Sequence, residues 1–562
     1  MSAVPLPGLT QDTGPYWPLI VQSAPRTLSL MDRDPFSPTA GCCDRTYWAW
    51  KFTDFPGSRF QEALCALSYL YSTPIRGNPF HEQPELAGWL DLGFRYWCRL
   101  QHPDGSFDEA YPFERSLAAT SFTSFYVAEA LKLAGSALSE TTDAAVRVAL
   151  ERAGNWLCRN DESHGFLSNH LAAAAAALQH VALLTGNASF AERSRHFTKK
   201  ILDHQSSEGW YDEYGGADPG YQTHGTFYLA RLLQLTGDQA LASSLDRSAQ
   251  FLAHFVHPDG SLGGEYASRN TQTYYPAGFE MLAHRSPAAA WIAATMRSST
   301  GTAAAAGLSG VDPWNYFPFL NNLVFASQAL QRERHAASPA DPTPAVGLTW
   351  FPKAGLARIR RGRYQAYVGT AKGGVVKVFD RDRRTLAYSD CGYVGRLTSG
   401  KLCSTQYFDP ERPVRCDDEG IEVSGSLMQF ARPVMTPFRF LGFRMFSLTV
   451  GRIGTLGRWL KRYLVKVLIY RRRPLDLSFR RHIRFGDTGI TVVDEIGGPA
   501  AGQLASLRWG ALFTTIHMGS SRYFIENELR SGSAARTVEI ALDEVRKGTR
   551  LTREVRVGGG ND

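Results

Sequence analysis

The sequence has eight cysteines but no paired ones: Cys42, Cys43, Cys65, Cys98, Cys158, Cys391, Cys403 and Cys416 include no C-x-x-C step. That argues against both a zinc site and a disulfide framework, and reduced, mostly buried thiols are expected. The stretch from Met1 to Leu30 lacks a basic start followed by an apolar core of about 7 to 15 residues, and no uncharged apolar run approaches the ~18 residues that span a bilayer. The expectation is therefore a cytoplasmic protein without a signal peptide or transmembrane segment. P-loop, helix-turn-helix, zinc-finger and RRM-like patterns are also lacking, which places nucleotides and nucleic acid behind carbohydrate as partners.

What is present is a long, ordinary globular composition. With 562 residues and 44% apolar content, the chain exceeds one ordinary hydrophobic core and is not disordered, so two large domains are expected. A formal charge of +8 favours an acidic partner, whether nucleic acid, anionic lipid or a uronate polymer, without choosing among them.

From Ser58 to about Leu330, alanine- and leucine-rich segments alternate with loops rich in Gly, Asp, His and aromatics. Apolar residues recur every three to four positions in 117–134, 142–159, 170–185, 191–205, 226–236, 239–255 and 288–296, which predicts helices paired in a ring. Three loops resemble one another: QHPDGSFDE at 101–109, QSSEGWYDE at 205–213 and HPDGSLGGE at 257–265. Pro-Asp-Gly is a common turn. Three copies, each between two helices, predict stacked hairpins with loops on one rim.

Between Gln331 and Leu348 the composition becomes that of a linker. Beyond it short strands follow at 357–360, 364–368, 375–379, 421–424, 477–485, 490–494 and 538–542, predicting an antiparallel sandwich. The expected organisation is an arm or lid at 1–57, a helical ring at 58–335, a linker at 336–348 and the sandwich at 349–562. Within the last, residues 432–473 carry eleven Arg or Lys and no acidic residue among Phe, Leu, Trp, Tyr and Ile. This reads as a basic amphipathic helical insertion that either packs on the sandwich or docks on anionic polymer, anionic membrane or a biosynthetic partner complex.

The most informative segments are GFLSNHL at 165–171 and DPGYQTHG at 218–225. At Asn169, His170, Tyr221 and His224 the sequence resembles the heparinase II/III family of polysaccharide lyases. There an Asn-His step opens an inner helix, and a Pro-Gly-Tyr-like loop carries a catalytic tyrosine. The resemblance runs from about Arg59 to Arg556. It implies an N-terminal incomplete (α/α) toroid followed by a C-terminal antiparallel β-sandwich, and a lyase acting on a uronate-containing bacterial exo- or capsular-type polysaccharide by β-elimination.

That reaction explains the residue types. Removing the C5 proton of a uronate leaves charge that spreads onto its carboxylate, and a well-placed donor such as Asn169 or His170 contributes about 3 to 4 kcal/mol to stabilising it. Tyr221 is the candidate base and, towards the leaving O4, the candidate acid. Its ordinary pKa of about 10 calls for nearby positive charge, expected from His224 and from Arg115 or Arg269. Plain structural roles compete: Asn169 as a helix N-cap, His170 and His224 as satisfied loop histidines, Tyr221 as turn packing.

Family members commonly carry a His-x-His-like step in the sandwich, whereas residues 363–378 here read RYQAYVGTAKGGVVKV. Either Lys372 replaces the missing base or the toroid acts alone. The family's metal ligands have no counterparts, so no metal and no cofactor are expected. Trp48, Trp50 and Lys51 form either a sugar platform with a carboxylate partner or a lid. Glu114, Arg115, Arg269, Asn270 and Tyr274 complete the candidate substrate contacts.

Three alternatives remain open at this level. A uronate C5 epimerase shares the proton abstraction. A glycoside hydrolase would use carboxylates such as Asp108, Glu109, Asp212, Glu213 or Glu265. A catalytically silent polysaccharide-binding protein of an exopolysaccharide assembly system would need neither.

Overall fold

Burial sorts the helices of the first half into two shells. The computed structural model describes residues 14–162, 165–332, 339–431, 434–454, 456–457, 459, 473–510, 523–530, 537–548 and 550–557. The helices are α1 (Tyr16–Leu30), α2 (Ala63–Ser72), α3 (Pro84–Leu100), α4 (Leu117–Ala134), α5 (Glu140–Arg159), α6 (Ser168–Thr185), α7 (Ala188–Asp203), α8 (Pro219–Thr236), α9 (Gln239–Ala253), α10 (Ala277–Leu282), α11 (Pro287–Ser299) and α12 (Pro313–Arg332). The even-numbered helices are buried on nearly all sides and pack in the order α2, α4, α6, α8, α10, α12, with α12 returning to α2. The odd-numbered helices bury one face and lie outside them.

Side-chain size sets how closely the inner helices approach. Ala172, Ala173, Ala174, Ala175, Ala176 and Ala177 of α6 are all fully buried, and small residues let α6 lie tightly between α4 and α8. The stretch expected as an arm departs from that reading. Tyr16, Trp17, Ile20 and Ala24 of α1 are fully buried, and the Tyr16 hydroxyl donates to Glu280 Oε1 at 2.7 Å. Their three-to-four spacing gives α1 an apolar face that packs on α12, so residues 16–30 join the outer shell.

The three similar loops share a turn. Gly105, Gly209 and Gly260 have φ of +99°, +100° and +87°, and a Cβ on each would lie 2.2 Å from Arg152 O, 2.5 Å from Arg247 O and 2.6 Å from Ser299 Cβ. Glycine is therefore required both by conformation and by contact with the next outer helix. Gln101 and Gln205 each donate from Nε2 to the carbonyl of their own loop glycine, at 3.0 and 2.9 Å. These loops lead into α4, α8 and α10 on one rim.

The second half holds two antiparallel sheets. The first runs in chain order through β1 (Gly347–Phe351), β2 (Leu356–Arg361), β3 (Tyr364–Gly369), β4 (Val375–Asp380) and β5 (Thr385–Asp390). The second comprises β6 (Tyr393–Leu397), β7 (Leu402–Ser404), β8 (Val414–Asp417), β9 (Gly420–Phe430), β10 (Pro474–Phe485), β11 (Gly489–Gly497), β12 (Leu504–Gly510), β13 (Thr537–Ile540) and β14 (Leu551–Arg556). Its order is β13-β12-β6-β7-β9-β10-β11-β14, with β8 paired to β9. β10 and β11 alternate buried and exposed positions along most of their length, as a sheet with one wet face does.

β3 and β4 are buried at every position instead, because their second face lies on the toroid. Tyr367 donates its hydroxyl to Val256 O at 2.8 Å and stacks on Tyr266 at 5.4 Å, while Lys377 pairs with Glu265 at 2.6 Å. The toroid core thus extends onto one face of the first sheet, while the sandwich keeps a second core of its own between the sheets. Inside the sandwich Arg481 pairs with Asp390 at 3.0 Å and Asp494 at 2.8 Å. Of the basic insertion, Pro437–Leu448 forms helix α13; residues 432–433, 455, 458 and 460–472 lie outside the described residues. Among the described residues no helix is long and apolar enough to cross a membrane.

Candidate active site

The rim brings the two motif segments together. The segment expected as a loop around Tyr221 is the first turn of α8: Pro219 occupies its first position, where no amide hydrogen is needed, and the Asp218 side chain caps it by accepting from Tyr221 N at 3.0 Å. Asp218 Oδ2 also accepts from Arg269 N at 2.7 Å. One carboxylate therefore ties the tyrosine-bearing turn to the buried loop at 268–273.

Asn169 sits in the first turn of α6, where it donates from its backbone N–H to Glu213 Oε1 at 3.0 Å and from Nδ2 to Glu213 Oε2 at 2.8 Å. The capping role considered for Asn169 thus falls to Glu213 of the neighbouring loop. Burial pushes the Glu213 carboxyl well above its ordinary pKa, and the Asn169 hydrogen bonds offset only part of that cost. α6 and α8 touch here, since a Cβ on Gly225 would lie 3.5 Å from Asn169 Cα.

His170 is half-buried, with Nδ1 2.7 Å from Glu162 Oε2 and its ring edge-on to Phe122 at 5.6 Å. His224 is buried, stacked on Tyr275 at 4.2 Å and facing Phe122 at 5.7 Å. Its Nε2 has no hydrogen-bond partner. Burial, then the charges of Arg59 and His170, hold His224 well below its ordinary pKa. This corrects the expectation that His224 supplies positive charge: it is neutral at pH 7.

The cations come from elsewhere. The Arg269 guanidinium lies over the Tyr214 ring at 4.6 Å, and Tyr214 in turn neighbours Tyr221. Arg59 lies over Phe122 at 4.6 Å and pairs with Glu62 at 2.8 Å and Glu109 at 3.1 Å. Lys372 is only 1% exposed, at the toroid–sandwich seam, with no hydrogen-bond partner for Nζ. Burial, then Arg269, lowers its pKa to about 8, with Asp218 opposing.

The remaining candidates divide. Asn270 is buried in the Arg269 loop with φ +60°. Arg115 and Glu114 line a cavity of about 840 Å³ together with Asp104, Arg152, Arg159 and Glu162, so the cavity reaches the partner of His170. Tyr274 is not in the cluster: its hydroxyl is 2.8 Å from Ser299 Oγ and donates to Met296 O at 3.2 Å, turning it to α11. Trp48 is half-buried and donates from Nε1 to Leu30 O at 2.8 Å, which anchors its segment to α1. Trp50 and Lys51 are exposed. Among the described residues no cluster of His, Cys, Asp and Glu could hold a metal ion.

Sequence reasoning passed over Arg59, Phe122, Glu162, Tyr214 and Tyr275. Arg59 and Glu162 lie just before inner helices, next to the first turns that carry the motif residues in α6 and α8, and that placement was the available signal.

Residues 91–300 match the family model described as the Ulvan lyase N-terminal domain. No curated protein matches. Among solved structures, the chondroitin AC lyase of Streptomyces coelicolor A3, in complex with chondroitin sulphate, is 13% identical with a TM-score of 0.54, covering 89% of this chain and 69% of that one. Xanthan lyase of Paenibacillus is 11% identical with a TM-score of 0.53, over 88% of this chain and 46% of that one. Heparinase III is 9% identical with a TM-score of 0.51, over 100% and 88%. Identities this low make the structural likeness one of fold. The chain has the toroid-plus-sandwich fold of heparinase-like polysaccharide lyases, and the family match falls on the toroid segment that carries Asn169, His170, Tyr221 and His224.

Proposed function

We propose that the protein is a polysaccharide lyase that cleaves a uronate-containing acidic polysaccharide of exo- or capsular type by β-elimination. The observation that carries this reading is the convergence of Tyr221 in the first turn of α8, the neutral His224 one turn further on, and the Asn169–His170 pair on α6, against Gly225.

The Asn169 amide spends one Nδ2 hydrogen on Glu213, and the other serves the substrate carboxylate as charge spreads onto it. Glu162 engages His170 through Nδ1, leaving Nε2 as the second contact. Tyr221 takes the C5 proton; the C5 electron pair forms the C4–C5 double bond as the C4–O4 bond breaks, and Tyr221 returns the proton to O4. Arg269 and Lys372 supply positive potential beside that turn, and Arg115, Arg152 and Arg159 in the adjoining cavity suit the uronates flanking the scissile bond.

The candidate hydrolase carboxylates are otherwise engaged, which supports elimination over hydrolysis. Asp108 is 2.8 Å from His102 Nε2 and accepts from Phe113 N at 2.7 Å, Glu109 pairs with Arg59, Asp212 accepts from Gly215 N at 2.6 Å, Glu213 holds Asn169, and Glu265 pairs with Lys377. The test is a panel of acidic polysaccharides read at the unsaturated-uronate absorbance band. Rising absorbance on at least one substrate is expected. A flat signal accompanied by deuterium exchange at C5 would replace the lyase with an epimerase.

A further inference from the structure

We propose that the outward face of α13 seats the protein on an anionic lipid surface. α13 holds to the rest of the molecule through one side. There Arg444 Nε pairs with Asp54 Oδ2 at 2.9 Å, Phe443 meets Tyr111 edge-on at 4.9 Å, and Ser447 is buried. Its other side carries Phe438, Leu441, Met445 and Leu448, spaced three and four residues apart and 87%, 59%, 58% and 38% exposed. Val450 and Ile453 extend this apolar surface beyond the helix. A surface helix of a globular protein ordinarily turns its apolar stripe inward, and a contiguous exposed stripe marks an interaction surface.

Charge identifies what covers it. Residues 432–473 hold eleven of the 61 Lys and Arg, which leaves the rest of the chain with 50 against all 53 acidic residues. The whole positive excess of the protein therefore resides in this one segment. An anionic polysaccharide would satisfy the cations but leave Phe438, Leu441 and Met445 in water. The headgroup region of an anionic bilayer suits both, with the apolar side chains of α13 at the acyl boundary and the exposed Arg439 of the same helix among the phosphates.

The location adds a consequence for the cavity described above. Asp54, the partner of Arg444, follows the exposed Trp50 and Phe52. Arg452 lies over Phe113 at 4.5 Å, in the loop that also holds Arg115. Docking through α13 places the cleft mouth beside the lipid surface, and this holds whether or not the lyase reading does.

The experiment is co-sedimentation of the full chain with vesicles of phosphatidylglycerol and phosphatidylcholine, against phosphatidylcholine alone, at low and high salt. The parent is compared with a Phe438→Ser, Leu441→Ser, Met445→Ser variant whose circular dichroism is checked against it. Binding to anionic vesicles about tenfold stronger than to neutral ones, weakened by salt and lost in the triple variant, is expected. No sedimentation with anionic vesicles, or binding that the triple variant retains, overturns the proposal. A parent that ignores vesicles but forms a dimer, which the triple variant dissociates, overturns it in favour of a second copy of the chain.

Discussion

Asn169 gives both its backbone and its side-chain amide to one buried carboxyl, that of Glu213, at 3.0 and 2.8 Å. This two-point hold fixes the amide plane, which is the preorganisation that the role proposed for Asn169, as a donor to developing charge, requires. Glu213→Ala is expected to cost about 1 to 3 kcal/mol of stability by leaving buried donors unpaired, and to lower kcat with little change in KM. Asn169→Ala is expected to cost about 10²- to 10³-fold in kcat. Urea denaturation and steady-state kinetics on both variants check this; a Glu213→Ala enzyme with parental kcat contradicts the positioning role.

Lys372 carries a stability cost in exchange for its charge. Its pKa is lowered to about 8 against 10.5 for an ordinary lysine, so the unfolded chain binds more protons between those values and stability rises with pH across that window. Below pH 8 the buried ammonium costs about 3 kcal/mol. Lys372→Met is expected to raise Tm at pH 7 while lowering kcat/KM on an acidic substrate about tenfold. A lower Tm would show that the ammonium is compensated.

Acid sensitivity separates by residue. Burial, then Arg358, lowers the His254 pKa to about 4, so the unfolded chain takes up a proton near pH 6.5 that the folded chain refuses, and stability falls as pH drops from about 6.5 towards 4. Glu62 runs the other way: burial pushes it up to about 7 despite Arg59, and its contribution falls as pH rises from 4.5 to 7. The test is therefore a difference. The Tm of His254→Gln relative to the parent is expected to increase steadily as pH falls through that window, and a constant difference contradicts it.

The sandwich rests on a buried charge network. Burial raises the Asp390 carboxyl, but Arg481 and Arg553 outweigh it and hold its pKa below the ordinary value. Arg481 also donates from Nη1 to Gly374 O at 3.0 Å, tying β10 to the turn after Lys372. Arg481→Met is expected to cost about 3 to 5 kcal/mol by leaving two aspartates to Arg553, read by urea denaturation. A loss below 1 kcal/mol would mean Arg553 alone suffices.

Local pattern made much of the fold legible. α4 begins and ends where the apolar spacing of 117–134 places it, and the seven short strands read from the sequence all fall in or overlap the two sheets. α1 was hidden because a short apolar face gains meaning only once α12 is there to cover it. β3 and β4 show no alternation because the toroid covers the face that is usually wet. At the site, Asn169, His170, Tyr221 and His224 were visible from their motif segments, whereas Glu213 as the holder of Asn169 depends on two loops meeting across the rim. The protonation of His224 could not be read either, since it follows from burial beside Arg59.

The most direct test of the elimination chemistry is the rate of unsaturated-uronate formation by the parent and by Tyr221→Phe on the same acidic polysaccharide. Tyr221 is only partly buried at the start of α8, so losing its hydroxyl should leave Tm within about 1 °C, a surface-type change. The account predicts that Tyr221→Phe folds as the parent does and forms no unsaturated product. Product formation by Tyr221→Phe at the parental rate would contradict it.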